Sequence, residues 1–200
     1  ACAPFRRLHL CDQHLPHMKA EKINSKDNLL LEVCLAAKHE GQSISDYYPK
    51  YQAQYPGSGS DFPMCTMLAR SFADIGDIVR GRDLYGRDNK KDKLQEQLKQ
   101  YFNNIYDNLE GVAQNHYNGD KNNNYYQLRE DWWTANRHTV WKALTCDDRL
   151  GGNAYFRPTC NSADGNSKSQ ANNKCTCING DPPTYFDYVP QYLRWFEEWA

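Results

Sequence analysis

The chain has 200 residues, 40% of them hydrophobic and 13% aromatic, which is enough for one hydrophobic core. Lys plus Arg number 24 and Asp plus Glu number 25, so the formal net charge of -1 excludes a whole-molecule field that would recruit nucleic acid or an anionic membrane. No stretch reaches the roughly 20 consecutive apolar residues of a membrane span, and no signal peptide opens the chain. We expect one domain that does not insert into a membrane, with any polyanion binding confined to a local patch.

Eight cysteines are spread along the chain at irregular spacing. An even number with this distribution is typical of disulfides formed in an oxidising compartment, and free buried thiols are the alternative. Eight cysteines allow about 105 pairings, so spacing alone does not give the connectivity. The chain stops within a periodic apolar pattern. We therefore expect a piece of a larger extracellular protein whose anchor and export signals lie elsewhere.

Residues 1–24 show little periodicity and contain Cys2, Cys11, two prolines and three histidines. This composition predicts an irregular strap pinned to the rest of the domain by disulfides. Ser25 then precedes the run KDNLLLEVCLAAKHE, in which apolar residues occur nearly all round a helix. The run predicts a central, buried helix that ends at Gly41.

Four tyrosines follow that helix within nine residues: Tyr47, Tyr48, Tyr51 and Tyr55. Exposed tyrosine clusters can form binding surfaces, because the ring supplies contact area and the hydroxyl supplies a hydrogen bond. Such clusters also cap the ends of helical bundles. The sequence leaves both interpretations open.

The stretch DFPMCTMLARSFADIGDIVRGRDLY is the best-defined helix signal in the chain. Its apolar residues recur at steps of three and four and form one stripe: Met64, Met67, Leu68, Phe72, Ile75, Ile78 and Val79. Gly81 stands where a left-handed C-cap belongs. On the other face Arg70 and Asp74 are four residues apart. Asp77 and Arg80 form a second pair, three residues apart, so we expect this face to be solvated.

One disulfide can be predicted from the helices on which two of the cysteines fall. Cys34 lies in the middle of the first predicted helix and Cys65 lies in the first turn of the next. If the two helices pack side by side with Cα atoms within about 7 Å, a bridge can form, and we predict Cys34–Cys65. Residues 146–186 have no periodicity and contain four cysteines, which predicts a long loop held by bridges.

Two further helices complete a predicted bundle, and a last segment carries a separate stripe. LQEQLKQYFNNIYDNLEGV is clearly amphipathic, and YQLREDWWTANRHTVWKAL has Arg137 in its apolar seam, where it should snorkel or meet a carboxylate. VPQYLRWFEEWA has an apolar stripe that could lie against the bundle or on another molecule: Val189, Leu193, Phe196 and Trp199. The predicted fold class is mainly α, a disulfide-braced helical bundle with an irregular N-terminal segment and a long cysteine-containing loop.

Catalytic and metal-binding patterns are weak. His9, Cys11, His14 and His17 include zinc-ligand types, but their spacing matches no recognised finger. Cys175 begins a Cys-Thr-Cys run, which is not the redox Cys-x-x-Cys motif. No phosphate cradle or nucleophile elbow is present. We expect no cofactor, no metal and no enzyme activity, and the alternative is a secreted enzyme whose titratable groups converge only in the fold.

One cationic cluster stands out. The run NKKDKL fits the x-B-B-x-B-x pattern associated with heparin-like glycosaminoglycans, and three arginines precede it. The candidate ligand-binding residues are Arg80, Arg82, Arg87, Lys90, Lys91 and Lys93. Sulfates along a polysaccharide need several cations on one face. Asp83, Asp88 and Asp92 interrupt the run, so a solvated surface of alternating charge is the alternative. Arg6 and Arg7 form a weaker basic group that could instead pair with acids of the bundle.

Three blocks carry a resemblance to a known family. They are ACAPFRRLHLC at residues 1–11, LARSFADIGDIVRGRDLY in the main helix signal, and DYVPQYLRWFEEWA at residues 187–200. Together they resemble the alpha class of Duffy-binding-like domains in the malaria parasite erythrocyte membrane protein 1 adhesin family. The blocks bracket the whole chain, and the segments between them match only in character.

The resemblance implies a host-cell adhesion module of a membrane-anchored variant antigen, displayed on the extracellular face of the infected erythrocyte. In rosetting and cytoadherence its partners would be a sulfated glycosaminoglycan such as heparan sulfate, a blood-group sugar, or an erythrocyte or endothelial receptor, with host antibodies and neighbouring domains of the adhesin as further partners. It divides the chain into part of a first subdomain (1–24), a second subdomain (25–186) and the first helix of a truncated third (187–200). The alternative is a spacer and antibody target that positions a neighbouring receptor-binding domain.

Overall fold

The computed structural model describes residues 2–19, 22–23, 25–54, 64–85, 90–161 and 167–199, with residues 90–92 as backbone only. The α-helices in these ranges are α1 Phe5–Leu8, α2 Lys26–Gln54, α3 Met64–Arg80, α4 Lys90–Asp107, α5 Gly111–His116, α6 Tyr126–Leu144 and α7 Gln191–Trp199. A small antiparallel sheet pairs β1 (Cys160–Asn161) with β2 (Lys168–Ser169). The predicted fold class, a mainly α-helical bundle braced by disulfides, is confirmed.

Helix α3 is the centre of the bundle, with α2 and α6 packed directly against it. Met67 is the only one of its 17 residues that is not buried. The ring of Phe72 lies 5.1 Å from the rings of both Trp133 and Trp141, centroid to centroid. Aromatic pairs at this separation add to the stabilisation that burial provides. The apolar stripe predicted from three- and four-residue spacing therefore forms the core.

Helix α2 passes through Gly41 and continues to Gln54, so the predicted helix end at this glycine was wrong. A Cβ atom at Gly41 would lie 1.9 Å from the backbone carbonyl oxygen of Leu144, at the end of α6. Only a residue without a side chain permits that approach. The glycine serves helix packing here and does not end the helix.

The charged face of α3 is buried, so the prediction of a solvated face was also wrong. Asp74 has no exposed surface, and its carboxylate accepts hydrogen bonds from Arg6 at 2.7 Å and Arg194 at 2.8 Å. Arg6 belongs to the N-terminal segment and Arg194 to α7, so two distant segments meet over α3. Burial by itself would raise the pKa of Asp74, but attraction to the two guanidinium groups outweighs burial and holds that pKa below its ordinary value.

Further ion pairs extend this contact along α3 and beyond its end. Arg194 also donates to Asp77 at 2.5 Å, and Arg7 pairs with Asp83 at 2.6 Å. Gln191 of α7 donates to Asp83 at 2.7 Å. The N-terminal arginines therefore pair with acids of the bundle, which is one of the two roles that the sequence allowed. They hold the strap in place.

The disulfides differ from the predicted pair. In the described residues, Cys65 is joined to Cys175 and Cys160 to Cys177. Cys34 is a free thiol, so the predicted Cys34–Cys65 bridge was wrong. The long loop folds over the first turn of α3 and supplies the partner for Cys65. Burial raises the pKa of the Cys34 thiol to about 11, which keeps it protonated and unreactive.

Two of the remaining cysteines lie in the strap. Cys2 and Cys11 are both free thiols in the described chain. The expectation that disulfides pin this segment was therefore wrong, and salt bridges take their place. A backbone contact adds to them, because the amide of Cys11 donates to the carboxylate of Glu40 at 3.0 Å. The strap is attached to α2 as well as to α3.

Helix α7 packs on the bundle through its polar side. Trp195 is only 3% exposed, and its indole N–H donates to Asp74 at 3.3 Å. The predicted apolar stripe is exposed at Val189, Leu193 and Phe196. Trp199 is also half exposed, but its indole N–H donates to the backbone carbonyl of Cys2 at 2.9 Å, so this end of the stripe lies against the strap. The buried carboxylates of α3 require cations and hydrogen-bond donors, so they bind the face of α7 that carries Arg194 and Gln191.

Replacing Cys65 by Ser should lower the free energy of unfolding by about 4 kcal/mol, because the bridge to Cys175 closes a loop with a sequence separation of 110. Cys34→Ser should change it by less than about 1 kcal/mol. Urea unfolding of the oxidised proteins measures both values. A peptide map that joined Cys34 to Cys65 would contradict this assignment.

Arg194→Ala should lower the free energy of unfolding by about 3 to 5 kcal/mol, because Asp74 and Asp77 stay buried after losing a shared partner. Arg149, whose pair with Asp46 is exposed, is the matched control, and Arg149→Ala should unfold close to the parent protein. Circular dichroism at 222 nm during heating compares the two variants. Equal losses would show that this ion pair does not hold α7.

Candidate functional site

Arg80, one of the predicted ligand-binding residues, belongs to the core. It is 2% exposed, and its guanidinium donates to the carbonyl of Gly76 at 2.9 Å and to Asp77 at 3.1 Å. It also donates to the backbone carbonyl of Asp187 and lies 5.7 Å from the ring of Trp133. A guanidinium in this position cannot reach an external polyanion. Its assignment to the ligand site was wrong because the face of α3 that carries it is not solvated.

Gly81 reverses the chain directly after α3, as predicted for a C-cap. Its φ is +73°, in the left-handed region that glycine adopts readily. The backbone amide of Gly81 donates to the carbonyl of Ile78 at 3.1 Å. The backbone amide of Arg82 donates to the backbone carbonyl of Asp77 at 2.8 Å. This is the Schellman arrangement of a helix C-terminus. The turn brings Arg82 to the surface, where its side chain is 40% exposed and pairs with Glu130 at 2.8 Å.

The first turns of α4 lie beside the end of α3 and the start of α6. Lys90 and Lys91 begin the helix, and Lys93 is exposed. Gln95 donates to a backbone carbonyl of α3 at 3.2 Å and accepts from Arg129 of α6 at 2.7 Å. Burial lowers the pKa of Arg129 to about 10, which still leaves it charged at neutral pH. These bonds hold the lysine-bearing end of α4 against the other two helices.

The start of α6 lies beside Arg82 and the first turns of α4. Asn124 and Tyr125 both adopt left-handed backbone conformations, with φ of 55° and 58°. The carboxylate of Asp120 accepts hydrogen bonds from two backbone amides of the first turn, at 3.1 and 2.9 Å, and so caps the helix. Tyr126, which follows Tyr125, is exposed, and its ring contacts the guanidinium of Arg82.

We call this surface the cationic corner, defined by Arg82, Lys90, Lys91, Lys93 and Tyr126. The sequence predicted its cations but not Tyr126 or the neighbouring Glu130, which neutralises part of the charge of Arg82. The available signal was the Tyr-Tyr pair that ends an Asn-rich loop and opens a helix. Arg87, the other predicted residue, lies outside the residues that the structure describes. The corner can bind anionic groups by ion pairs and hydrogen bonds.

The tyrosine-rich end of α2 borders a cavity of about 670 Å³. Tyr47 and Tyr51 line this cavity together with Phe5 of the strap. Tyr47 is 52% exposed, whereas Tyr48 packs partly buried against the hydrophobic core. The cluster is therefore divided: Tyr48 packs on the core, as a bundle cap does, and Tyr47 is exposed. Tyr55 lies outside the described residues.

The histidine-rich strap does not gather its side chains into a metal site. Across the described ranges, no three His, Cys, Asp or Glu side chains are placed to share a metal ion. His14 instead bonds through its ring to the backbone carbonyl of Glu32 at 3.1 Å. None of the described helices offers an apolar stretch that could cross a bilayer.

Comparison with known protein families finds a match to the Duffy binding domain over residues 1–194. Comparison with curated protein sequences finds no match. Among solved structures, the NTS-DBL1(alpha-1) domain of the Plasmodium falciparum membrane protein 1 (PfEMP1) from the varO strain is 46% identical, with a TM-score of 0.78. The match covers 100% of this chain and 43% of that chain.

Two similar structures are complexes. The PfEMP1 IT4var13 DBLbeta domain bound to ICAM-1 is 33% identical, with a TM-score of 0.73, and the match covers 100% of this chain and 44% of that chain. A second PfEMP1 DBLb domain, bound to human ICAM-1, is 31% identical with a TM-score of 0.65. That match covers 97% of this chain and 38% of that chain. The chain spans less than half the length of these structures.

Arg80→Ala should lower the free energy of unfolding by about 3 kcal/mol, because it removes a partner from the buried carboxylate of Asp77. Arg82→Ala should change it by less than about 1 kcal/mol, since the pair with Glu130 is partly solvated. Urea unfolding followed by tryptophan fluorescence measures the difference. A mild effect of Arg80→Ala would show that its ion pair with Asp77 does not stabilise the core.

Proposed function

Because this chain belongs to the Duffy binding domain family, as an alpha-class domain of the PfEMP1 adhesins, we propose that it is a host-cell adhesion module that binds a sulfated glycosaminoglycan such as heparan sulfate. The proposed site is the cationic corner. Its main support is that Arg82 and Lys93 are exposed at the meeting point of α3, α4 and α6, where Lys90 and Lys91 begin α4. The two ICAM-1 complexes support a receptor-binding role for surfaces of this fold.

The corner suits a long polyanion, because its cations come from separate elements and sulfates recur along a glycosaminoglycan. The planar guanidinium of Arg82 can bind a sulfate through two hydrogen bonds, whereas Lys93 acts as a point charge. Each contact is weak in water and is screened over about 8 Å at physiological ionic strength. The net charge of -1 adds no long-range attraction. Affinity must therefore come from several contacts at once and should fall steeply as salt rises.

The proposal places the module outside the cell, on the surface of the infected erythrocyte, as part of a membrane-anchored protein. Its partners would then be an erythrocyte or endothelial receptor, a sulfated glycosaminoglycan, neighbouring adhesin domains and host antibodies. Recognition of this kind needs no covalent step and no cofactor. It requires only a surface whose charges are held in position.

A second candidate function is that of a spacer that positions a neighbouring receptor-binding domain and presents a variable surface to antibodies. The observation in its favour is that Arg80 is buried and Arg82 is already paired with Glu130, which reduces the charge available to a ligand. The two functions differ in a simple measurement. A spacer would not be retained on immobilised heparin at physiological salt, whereas the adhesion module would be.

Changing Lys90, Lys91 and Lys93 together to Ala should make the domain elute from heparin at clearly lower salt, because three of the proposed ionic contacts are lost. The melting temperature should change little, since Lys93 is exposed. Heparin affinity chromatography with a salt gradient and a thermal melt measure the two effects.

The matched control changes three exposed lysines on other parts of α2 and α6, namely Lys38, Lys50 and Lys142. It removes the same charge from the protein, so it should elute close to the parent if the corner is the site. Equal shifts for the two triple variants would show that heparin responds only to overall charge. Unchanged retention of the first variant would reject the corner.

A further inference from the structure

Tyr126 and Arg82 form an aromatic and cationic pair within the cationic corner. The guanidinium carbon of Arg82 lies 5.3 Å from the ring centroid of Tyr126, and Nη2 donates to the tyrosine hydroxyl. Glu130, one helical turn beyond Tyr126, forms an ion pair with Arg82, with a carboxylate oxygen 2.8 Å from Nε. Tyr126 still keeps 43% of its surface exposed. The ring is therefore held in place and remains accessible to a ligand.

The backbone before Tyr126 explains why this ring faces solvent. Tyr125 is 1% exposed, its hydroxyl donates to Asn103 at 2.6 Å, and its ring lies 5.8 Å from that of Tyr106. Its φ of 58° is unusual for a bulky residue, and such conformations persist only where the surroundings enforce them. Here the anchoring of Tyr125 in the core directs the next side chain outward, beside Arg82.

This pair matches the chemistry of a sulfated sugar residue. One face of a pyranose ring consists of C–H groups, which pack on an aromatic ring, and a sulfate on the same sugar can accept hydrogen bonds from a guanidinium. A polyanion without sugar rings, such as polyphosphate, offers charge to Arg82 and to Lys93. It has no apolar face to cover the ring of Tyr126.

We propose that Tyr126 is a sugar-stacking residue that makes the cationic corner prefer a sulfated sugar chain over a ring-free polyanion of similar charge. This inference rests on the proposed function, because it concerns the same site. The cations provide the ionic part of the affinity and the tyrosine provides a part that does not depend on salt. Selectivity between two polyanions is a difference of affinities. The ionic contribution is similar for two polyanions of similar charge, so only the contribution of Tyr126 distinguishes the sugar chain.

The test measures dissociation constants for heparin and for polyphosphate over a salt series, with the parent protein and Tyr126→Ala. The variant should bind heparin about five- to tenfold more weakly at a given salt concentration, with an unchanged slope of log Kd against log salt. Its affinity for polyphosphate should be unchanged. The Lys90, Lys91 and Lys93 triple variant should instead lose affinity for both probes and have a shallower slope.

Three further variants separate the ring from its surroundings. Tyr126→Phe keeps the ring and should bind heparin like the parent, whereas Tyr126→Leu keeps bulk without the ring and should behave like Tyr126→Ala. Tyr192, on α7, is 52% exposed and supplies the matched control, so Tyr192→Ala should leave heparin binding unchanged. Tyr126→Leu also serves if Tyr126→Ala fails to fold.

Two results would overturn this inference alone. Heparin binding that is unchanged in Tyr126→Ala and Tyr126→Leu would show that the ring makes no contact with the sugar. Equal weakening towards heparin and polyphosphate would show that Tyr126 only positions Arg82. A parent protein that does not bind heparin would overturn the proposed function, and this inference with it.

Discussion

The buried carboxylate of Asp74 is the contact on which the rest of the structure depends. It lies in the middle of α3 and pairs with Arg6 of the strap and Arg194 of α7. Taking a charge out of water costs several kcal/mol per ion, and that cost is offset only when its partners are in place. We infer that this carboxylate chiefly specifies where the strap and α7 lie, whereas the apolar stripe of α3 supplies most of the stability.

The same network determines which cations remain at the surface. Asp77 engages Arg80 and Arg194 inside the domain, so the basic run that is continuous in sequence is divided at Gly81. Arg80, before Gly81, is neutralised in the core, whereas Arg82, after Gly81, is exposed. The hydrogen bonds between α3, α4 and α6 then hold the cationic corner on rigid helix ends, where a binding surface is better defined than on loops.

The proposed binding surface is separate from the residues that stabilise the fold. The core aromatic residues, the buried ion pairs and the Cys65–Cys175 bridge hold α3 and its neighbours, and none of them is part of the cationic corner. Substitutions at exposed positions away from such features usually change stability by less than about 0.5 kcal/mol. The corner can therefore vary in sequence at little cost to the fold, which agrees with the proposed role on a host-facing surface.

The sequence by itself determined the helical class, the apolar stripe of α3 and the cap at Gly81, because periodicity and left-handed glycine are local properties. Only the tertiary structure decided the partner of Cys65, the burial of Asp74 and the position of Tyr126 beside Arg82. Each of these joins distant parts of the chain, with separations of 110 residues for the disulfide and 44 for the tyrosine contact. Periodicity shows that a helix has a polar face, but a carboxylate on that face has the same sequence pattern whether it meets water or a buried arginine.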